Sequence, residues 1–384
     1  MLCFLNKFTY LDNSATTAPC SNAIQNINLA LTESWGNPSS LYDIGFHAQK
    51  LVDDTRKSVA TLLKCREDEI YFTGSGTESN NTAIIGAAQS RKKRGKRIVT
   101  TSIEHPSVLE TIKGLENDGF EVVYLKPQQN GVISIDDLKS AINKDTILVS
   151  IMLVNNESGA IQPVKTAADA IKATGAPALL HCDGVQAFGK MPINLTELGV
   201  DLFTASGHKI HGPKGIGVLY IKKGVTIKPL ITGGGQEKNM RSGTESVPLI
   251  YGLKGAVDSL GNINEQSKKQ KELWLYAKET LLDTQLVAIN SSDDVLPYIL
   301  NISVEGYRSE TMLHFLESQG IYVSSGSACA KGEGSYVLKE MGFSRNRVDS
   351  ALRISFSRDN TKEDIDALKV ALISATQKLR RSVK

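Results

Sequence analysis

Hydrophobic positions in the first two thirds of the chain fall into short, nearly continuous apolar runs. These runs occupy residues 69–73, 98–102, 121–125, 146–153, 178–182, 201–206 and 215–221. Apolar runs of this length are typical of strands that are covered on both faces of a sheet. Helical patterns lie between several of them, for example over residues 80–94 and 164–174. This alternation predicts a mainly parallel α/β sheet.

The pattern changes after about residue 255, where longer polar helical stretches mix with isolated strands. The predicted elements are helices over 262–284, 309–318 and 361–380 and strands over 297–304 and 352–356. We therefore expect two domains. The large α/β domain spans residues 16–258, and a smaller α+β domain combines residues 1–15 with residues 259–384.

Composition excludes several classes of protein. Of the 384 residues, 41% are hydrophobic and 22% are charged, which are values typical of a globular protein and not of a disordered chain. The net charge of +3 gives no reason to expect direct nucleic-acid binding. No apolar run approaches the roughly 18 residues of a membrane span, and the start of the chain is too soon polar for a signal peptide.

Cysteine usage points to a reducing compartment. The five cysteines stand at positions 3, 20, 65, 182 and 329, and none of them form a C-x-x-C pair. An odd, scattered set of this kind indicates free thiols in a cytoplasmic protein. A cysteine with a special role is therefore expected to be catalytic and not part of a disulfide.

Two glycine-containing loops follow predicted strands. Residues 73–80 open a helix, which suits the binding of a phosphate at free backbone N–H groups, although a plain capped turn explains the same pattern. Residues 206–215 place Lys209 in a loop rich in Gly and His, a setting that suits Schiff-base chemistry. A surface lysine is one alternative. A metal held by His208 and His211 is another, but a third ligand is hard to find, so we expect no metal.

Other candidate residues end predicted strands or lie in loops. Asp183 follows a strand, where a carboxylate can hold a pyridine nitrogen protonated, although it can equally cap the next turn. His105 precedes Pro106 and can stack on an aromatic cofactor or serve a structural role. Cys329 lies among small residues at 324–334. This setting suits a mobile nucleophile, although an ordinary loop thiol explains it as well.

Together these features describe pyridoxal phosphate chemistry with a cysteine nucleophile. The chain resembles the NifS/IscS-type cysteine desulfurases of the class V aminotransferase group, and the likeness runs over nearly its whole length. The matching motifs are residues 10–17, 36–40, 73–80, 104–105, 154–157, 206–215, 241–244 and 324–329.

The resemblance implies a role for each cofactor-binding residue. Lys209 would carry pyridoxal phosphate on its amine and then transfer protons. Asp183 would pair with the pyridine nitrogen, His105 would stack on the ring, and Gln186 would bond to the phenolic oxygen. The implied phosphate ligands are Gly76, Thr77, Ser206 and His208, together with Thr244 from the other subunit.

The resemblance also implies how the substrate is held. Asn156 and Arg353 would bind the substrate carboxylate, a task that suits the two-pronged guanidinium. Asn13 is also assigned to substrate binding. Cys329 would attack the substrate sulfur and become a persulfide.

The implied fold is the type I fold of pyridoxal phosphate enzymes, present as a homodimer. The implied reaction converts L-cysteine to L-alanine and delivers sulfur to an acceptor protein, either an iron–sulfur scaffold or a tRNA-thiolation protein. A selenocysteine lyase or another class V enzyme such as an aminotransferase is the alternative, and Cys329 argues against a simple transaminase. An iron–sulfur scaffold is disfavoured because clustered Cys and His ligands are missing from the sequence.

The sequence departs from the family at three places. Cys182 and Gly184 stand where relatives often have an apolar residue and Ala, and we expect both to be tolerated because neither side chain has a polar role there. The segment after Cys329 is shorter than in scaffold-linked members, which bears on the identity of the sulfur acceptor. Gly332 and Gly334 add backbone freedom to the same loop.

Overall fold

A seven-stranded sheet forms the centre of the chain in a computed structural model that describes residues 8–325 and 334–381. Its strand order is β2-β8-β7-β6-β5-β3-β4. The strands are β2 (Ile70–Thr73), β3 (Arg97–Thr101), β4 (Glu121–Leu125), β5 (Thr146–Ser150), β6 (Leu179–Asp183), β7 (Leu202–Ser206) and β8 (Gly217–Ile221). The pairs β4–β3, β3–β5, β5–β6 and β6–β7 are parallel, while β8 is antiparallel to both neighbours. The predicted mainly parallel sheet is confirmed.

Helices cover this sheet because their apolar residues are buried against it. These helices are α1 (Ser21–Thr32), α2 (Asp43–Leu63), α3 (Gly76–Arg91), α4 (Pro106–Asn117), α5 (Ile135–Ala141), α6 (Val164–Thr174), α7 (Leu195–Leu198) and α8 (Val247–Asp258). Short 3₁₀ turns occupy Glu67–Glu69, Gly207–Lys209 and Glu237–Asn239. Ser75 caps α3 by accepting a hydrogen bond from the N–H of Glu78, which fixes where this central helix begins.

The remaining elements build a second hydrophobic core. They are β1 (Thr9–Tyr10), α9 (Ile263–Leu282), β9 (Ala288–Ile289), β10 (Ile299–Ser303), α10 (Ser309–Ser318), β11 (Ile321–Tyr322), α11 (Tyr336–Glu340), α12 (Arg345–Asp349), β12 (Ala351–Ser355) and α13 (Lys362–Lys378). Strands β12, β10 and β9 form an antiparallel sheet, and β1 pairs in parallel with β11.

This second core gathers the start and the end of the chain. Leu11 packs in it beside residues of α9, α10 and α13, and the fully buried Trp274 donates its indole N–H to the carbonyl of Ile299 at 2.9 Å. The division of the chain at residues 15 and 258 stays a prediction. Within the described ranges, no helix is long and apolar enough to cross a membrane.

The carboxyl ends of the parallel strands lie on one edge of the central sheet. Asp183 ends β6, Ser206 ends β7, and the 3₁₀ turn with Lys209 follows directly. The first turn of α3 begins beside them, because Gly76 lies against Val185 and Ser206. In open α/β sheets this edge is where ligands bind. The topology therefore brings together side chains that are far apart in sequence.

Candidate active site

A cavity of about 800 Å³ lies at this edge of the sheet. Loops that follow the parallel strands form most of its wall, and residues 14–16 and Tyr336 complete it. It is lined by ten of the residues that the sequence analysis singled out, namely Gly76, Thr77, His105, Asn156, Asp183, Gln186, Ser206, His208, Lys209 and Arg353.

Lys209 enters the cavity from the end of the 3₁₀ turn Gly207–Lys209. Its Nζ donates to two backbone carbonyls, Ser14 O at 2.6 Å and Ala15 O at 2.7 Å. Burial lowers the pKa of Lys209 to about 8, and the nearby charge of Arg353 acts in the same direction. The neutral, nucleophilic fraction of this amine near neutral pH is therefore larger than that of an exposed lysine.

Asp183 is held rigidly at the end of β6. Its Oδ2 accepts a hydrogen bond from Asn80 Nδ2 at 2.8 Å, and its Oδ1 accepts one from the Val185 N–H at 2.9 Å. Asn80 is itself fixed from the other side, because its Oδ1 accepts from Thr204 Oγ1 at 2.5 Å. The carboxylate is nearly buried, has a fixed orientation and belongs to a residue that lines the cavity.

His105 is the N-cap of α4, and its ring borders the cavity. Nδ1 accepts a hydrogen bond from the Ser107 N–H at 3.1 Å, which fixes the plane of the ring. Surrounding protein lowers the pKa of His105, chiefly through desolvation. The ring is therefore neutral at neutral pH and offers a flat face on which an aromatic group can stack.

The first turn of α3 forms one end of the cavity. Gly76 and Thr77 lie where the helix has backbone N–H groups that the helical ladder does not use. A Cβ added at Gly76 would lie 3.0 Å from Val185 Cγ2 and 3.4 Å from Ser206 Cβ, so glycine lets the backbone approach this wall closely. Free N–H groups beside hydroxyl groups suit a phosphate dianion.

His208 closes the same side of the cavity. Its Nδ1 lies 3.2 Å from Thr16 Oγ1, and burial lowers its pKa to about 4, so the imidazole is neutral. His211 makes a different contact, with Nδ1 2.9 Å from the carbonyl of Ala18. Among the described residues, no group of three or more His, Cys, Asp or Glu side chains is arranged to hold a metal ion.

Arg353 projects from β12 at the opposite end of the cavity. Nη2 forms an ion pair with Asp12 Oδ1 at 2.7 Å, and Nη1 donates to the carbonyl of Asn156 at 3.0 Å. Two buried polar atoms here, Arg353 Nε and Asn156 Oδ1, have no hydrogen-bond partner among the described residues. Unsatisfied buried atoms of this kind indicate that the wall is completed by a polar ligand.

Two predicted residues do not line the cavity. Asn13 is buried, and its Nδ2 donates to Tyr10 O, Ser355 O and Asn360 Oδ1, so its amide joins the start of the chain to its C-terminal part. This arrangement does not support a direct role of Asn13 in substrate binding. Thr244 is exposed on the loop before α8, and its contact with a second subunit stays a prediction.

Cys329 lies outside the described residues, as do all of positions 326–333. The residues before this segment are attached to the substrate end of the cavity. The N–H of Ser324 donates to Arg353 O at 3.1 Å, and the N–H of Arg353 donates to Ser324 O at 2.7 Å.

The residues after the same segment also contact the cavity wall. Ser335 Oγ donates to a carboxylate oxygen of the buried Glu157, and the Tyr336 hydroxyl donates to the carbonyl of Glu104. Burial raises the pKa of Glu157 to about 7, although Ser335 and Arg353 oppose the shift. Burial likewise raises the pKa of Glu104 to about 8. Both ends of the Cys329 segment are therefore fixed beside the cavity.

The sequence analysis assigned no role to Asp12, Asn80 or Glu157. Each lies within a motif that carried the resemblance, so motif position was the available signal. Their partners are Arg353, Asp183 and Ser335, which are more than 100 positions away in the chain. Periodicity and local spacing do not reveal contacts over such separations.

The cavity fits pyridoxal phosphate. An amine, a fixed carboxylate, a flat neutral ring and a helix N-terminus are the groups that an aldehyde, a pyridine nitrogen, an aromatic ring and a phosphate require. Arg353 also lines the cavity, and its guanidinium suits a carboxylate-bearing substrate.

Comparisons with known proteins agree with this chemistry. The family model for class V aminotransferases matches residues 9–368. A relative named cysteine desulfurase IscS, from Methanosarcina thermophila, is 42% identical over 379 residues, which cover 98% of this chain and 93% of that protein.

Solved structures show the same fold. A NifS-like protein superposes with a TM-score of 0.92 at 37% identity and covers 97% of this chain and 100% of its own. A structure described as SspA in complex with cysteine superposes with a TM-score of 0.82 at 32% identity and covers 92% and 100%. The chain thus belongs to the class V aminotransferase family, with the type I fold of its pyridoxal phosphate-dependent cysteine desulfurases.

Proposed function

We propose that this chain converts L-cysteine to L-alanine and transfers the sulfur to Cys329 as a persulfide. The observation that supports this function is the convergence, in one cavity, of an amine of lowered pKa at Lys209, a fixed carboxylate at Asp183 and an incompletely paired guanidinium at Arg353. The similarity to a cysteine desulfurase over nearly the whole chain agrees with it.

The cofactor is held at five places in this proposal. Lys209 Nζ would bond to it, Asp183 would pair with its pyridine nitrogen, His105 would stack on its ring, Gln186 would bond to its phenolic oxygen, and the first turn of α3 would hold its phosphate. When bound, pyridoxal phosphate withdraws electrons from the α-carbon of the amino acid. The hydrogen bonds from Asn80 and Val185 fix the orientation of the Asp183 carboxylate, which would stabilise the protonated form of the pyridine nitrogen.

Lys209 also moves protons. Once the substrate occupies the site, the Lys209 amine is free. With a pKa of about 8 it can take a proton from the α-carbon and return it at another carbon. The carbonyls of Ser14 and Ala15 accept its hydrogen bonds and keep Nζ at the cavity wall.

Arg353 orients the substrate by its carboxylate. Asp12 and the Asn156 carbonyl already hold two of its nitrogens, so the guanidinium is preorganised and loses little entropy when a carboxylate binds. Its Nε has no hydrogen-bond partner among the described residues.

Sulfur transfer needs a thiolate, which we assign to Cys329. Its sulfur attacks the substrate sulfur, so an S–S bond forms while the substrate C–S bond breaks. The electron pair of that bond stays on the substrate carbon, which then takes a proton to become the methyl group of alanine. The persulfide holds the sulfur for a protein acceptor in iron–sulfur assembly or tRNA thiolation, in the cytoplasm.

The enzyme is proposed to be a homodimer. Large apolar side chains are exposed around the end of α1 and the start of α2: Leu31, Trp35, Leu41, Tyr42 and Phe46. The loop before α8, which carries Thr244, is connected to α2 by a buried ion pair between Arg56 and Glu237 at 2.9 Å. Contiguous exposed apolar groups of this kind mark a protein interface.

The function is tested with two variants and cysteine as substrate. Wild type should release alanine and carry an added sulfur on the Cys329 peptide by mass spectrometry. Lys209→Ala should lack the cofactor-linked absorbance, and Cys329→Ser should keep that absorbance but form no alanine catalytically.

Cys65→Ser is the control, because burial raises the pKa of the Cys65 thiol to about 12 and leaves it a poor nucleophile. Normal turnover by Cys329→Ser would contradict the proposed mechanism and favour a selenocysteine lyase.

A further inference from the structure

Lys190 is a buried lysine beside the site that has no function so far. Its residue is 5% exposed, and it follows β6 in the same turn that carries Gln186. Nζ donates to Gln186 Oε1 at 3.1 Å. Among the residues that the structure describes, no carboxylate lies within ion-pair distance of Lys190, although burying an unpaired ammonium is costly.

The surroundings of Lys190 are cationic or neutral. It shares a cavity of about 20 Å³ with Lys209, His211, Tyr298 and Arg358, and Nζ lies 5.9 Å from the centre of the Tyr298 ring. Burial lowers the pKa of Lys190 to about 7, with the charge of Lys209 acting in the same direction. Burying Lys190 costs folding free energy. We therefore expect its hydrogen bond to Gln186 to serve the function of the site.

The hydrogen bonds around Gln186 fix which way its amide points. Gln186 Nε2 donates to the carbonyl of Ser14 at 3.0 Å, and a carbonyl can only accept. Lys190 Nζ donates to the amide oxygen at the other end of the same group, in agreement with this orientation. Ser14 O is also an acceptor for Lys209 Nζ at 2.6 Å, so the amide nitrogen and the reactive amine share one carbonyl.

We propose that Lys190 is a positioning residue that holds the Gln186 amide with its nitrogen toward Lys209. The second N–H of that amide is then presented to the phenolic oxygen of a cofactor joined to Lys209. The inference rests on the proposed cofactor-binding role of Gln186 and adds the group that enforces its orientation. Without Lys190 only the Ser14 carbonyl would hold this orientation, so the amide would present its oxygen, which repels the phenolate, more often.

The test uses the full chain and measures cofactor binding separately from turnover. Lys190→Met keeps the length of the side chain and removes the donor. Titration of the apoprotein with pyridoxal phosphate should show a dissociation constant raised roughly three- to ten-fold, the value of one hydrogen bond. The pH midpoint of the cofactor absorbance should shift as well. Lys172→Met, at an exposed position on α6, is the control and should change neither quantity.

A double-mutant cycle tests the role of Gln186 and the role of Lys190 separately. If Lys190 acts through Gln186, then Lys190→Met should have no further effect in a Gln186→Met background. Unchanged binding in Gln186→Met alone would refute the role of Gln186. A clear effect of Gln186→Met with none from Lys190→Met, or additive effects of the two, would overturn the role of Lys190 only.

Lys190→Arg keeps a cationic donor, and the adjoining small cavity offers space for its larger head group. It should retain the wild-type absorbance midpoint. A shift as large as that of Lys190→Met would also overturn the inference. Thermal unfolding of each apoprotein establishes that the variants are folded.

Discussion

Gly184, next to the proposed pyridine partner Asp183, shows how one missing Cβ shapes the site. A Cβ added at Gly184 would lie only 1.8 Å from Phe203 Cζ. Phe203 is fully buried in β7, so its ring occupies the space that an alanine side chain would need. The tolerance expected for glycine at this position therefore has a physical basis in Phe203.

We predict that Gly184→Ala lowers the free energy of unfolding by about 1–3 kcal/mol, since overpacking forces the Phe203 ring to move. Urea denaturation of the apoprotein measures this change. Adding Phe203→Leu to Gly184→Ala should recover part of the loss. Gly114→Ala in α4 is the matched control, because its added Cβ meets nothing within 4 Å and alanine favours a helix. Equal stability of Gly184→Ala and wild type would contradict the overpacking.

At the scale of elements, Glu157 connects the loop after β5 to the start of α11. Its carboxyl group is buried and accepts a hydrogen bond from Ser335, the N-cap residue of α11. Burial raises the pKa of Glu157 to about 7, so the folded protein keeps this group protonated where the unfolded chain has lost the proton. Its contribution to stability is full below pH 4.5 and is lost as the pH rises through about 7.

We predict that Glu157→Gln removes this pH dependence. The glutamine still accepts from Ser335 and cannot ionise, so the variant should gain stability relative to wild type as the pH rises from about 4.5 to 8. Unfolding free energies of both apoproteins at several pH values give the difference. Glu340→Gln, in the same α11 but only half-buried, is the control. A difference that does not change with pH would show that Glu157 is ionised in the folded protein.

Elements were more predictable from the sequence than contacts between them. Each of the seven apolar runs forms a strand, because a strand buried on both faces leaves a continuous apolar signature. The apolar run 146–153 is longer than β5. Residues 151–153 follow the strand and are buried, and Met152 lines the cavity. The pairing of Asn80 with Asp183 and of Asp12 with Arg353 depends on the completed sheet, and no local pattern encodes it.

At the scale of the whole molecule, the main candidate interface is the set of exposed apolar side chains around the end of α1 and the start of α2. Leu41 and Phe46 are two of its most exposed side chains, at 104% and 69%. A second copy of the chain is the proposed partner, and the contact of Thr244 with the other subunit stays a prediction.

We predict that wild type sediments as a dimer at micromolar concentration and that Leu41→Asp combined with Phe46→Asp shifts it toward monomer. Burying an unpaired carboxylate in an apolar interface is costly. Cofactor retention should fall in the same variant. Val370→Asp, at an exposed apolar position of α13, is the control and should remain dimeric. A monomeric wild type with full activity would refute the dimer.

The two backbone hydrogen bonds between Ser324 and Arg353 also limit how far the Cys329 thiol can be from this strand. Five residues of chain lead from Ser324 to Cys329, and an extended chain spans at most about 3.5 Å per residue. The thiol is thus tethered within roughly 17–20 Å of the strand that carries the proposed carboxylate ligand. An acceptor must therefore present its sulfur-receiving group within that distance of Ser324, and a more remote face of the enzyme is out of reach.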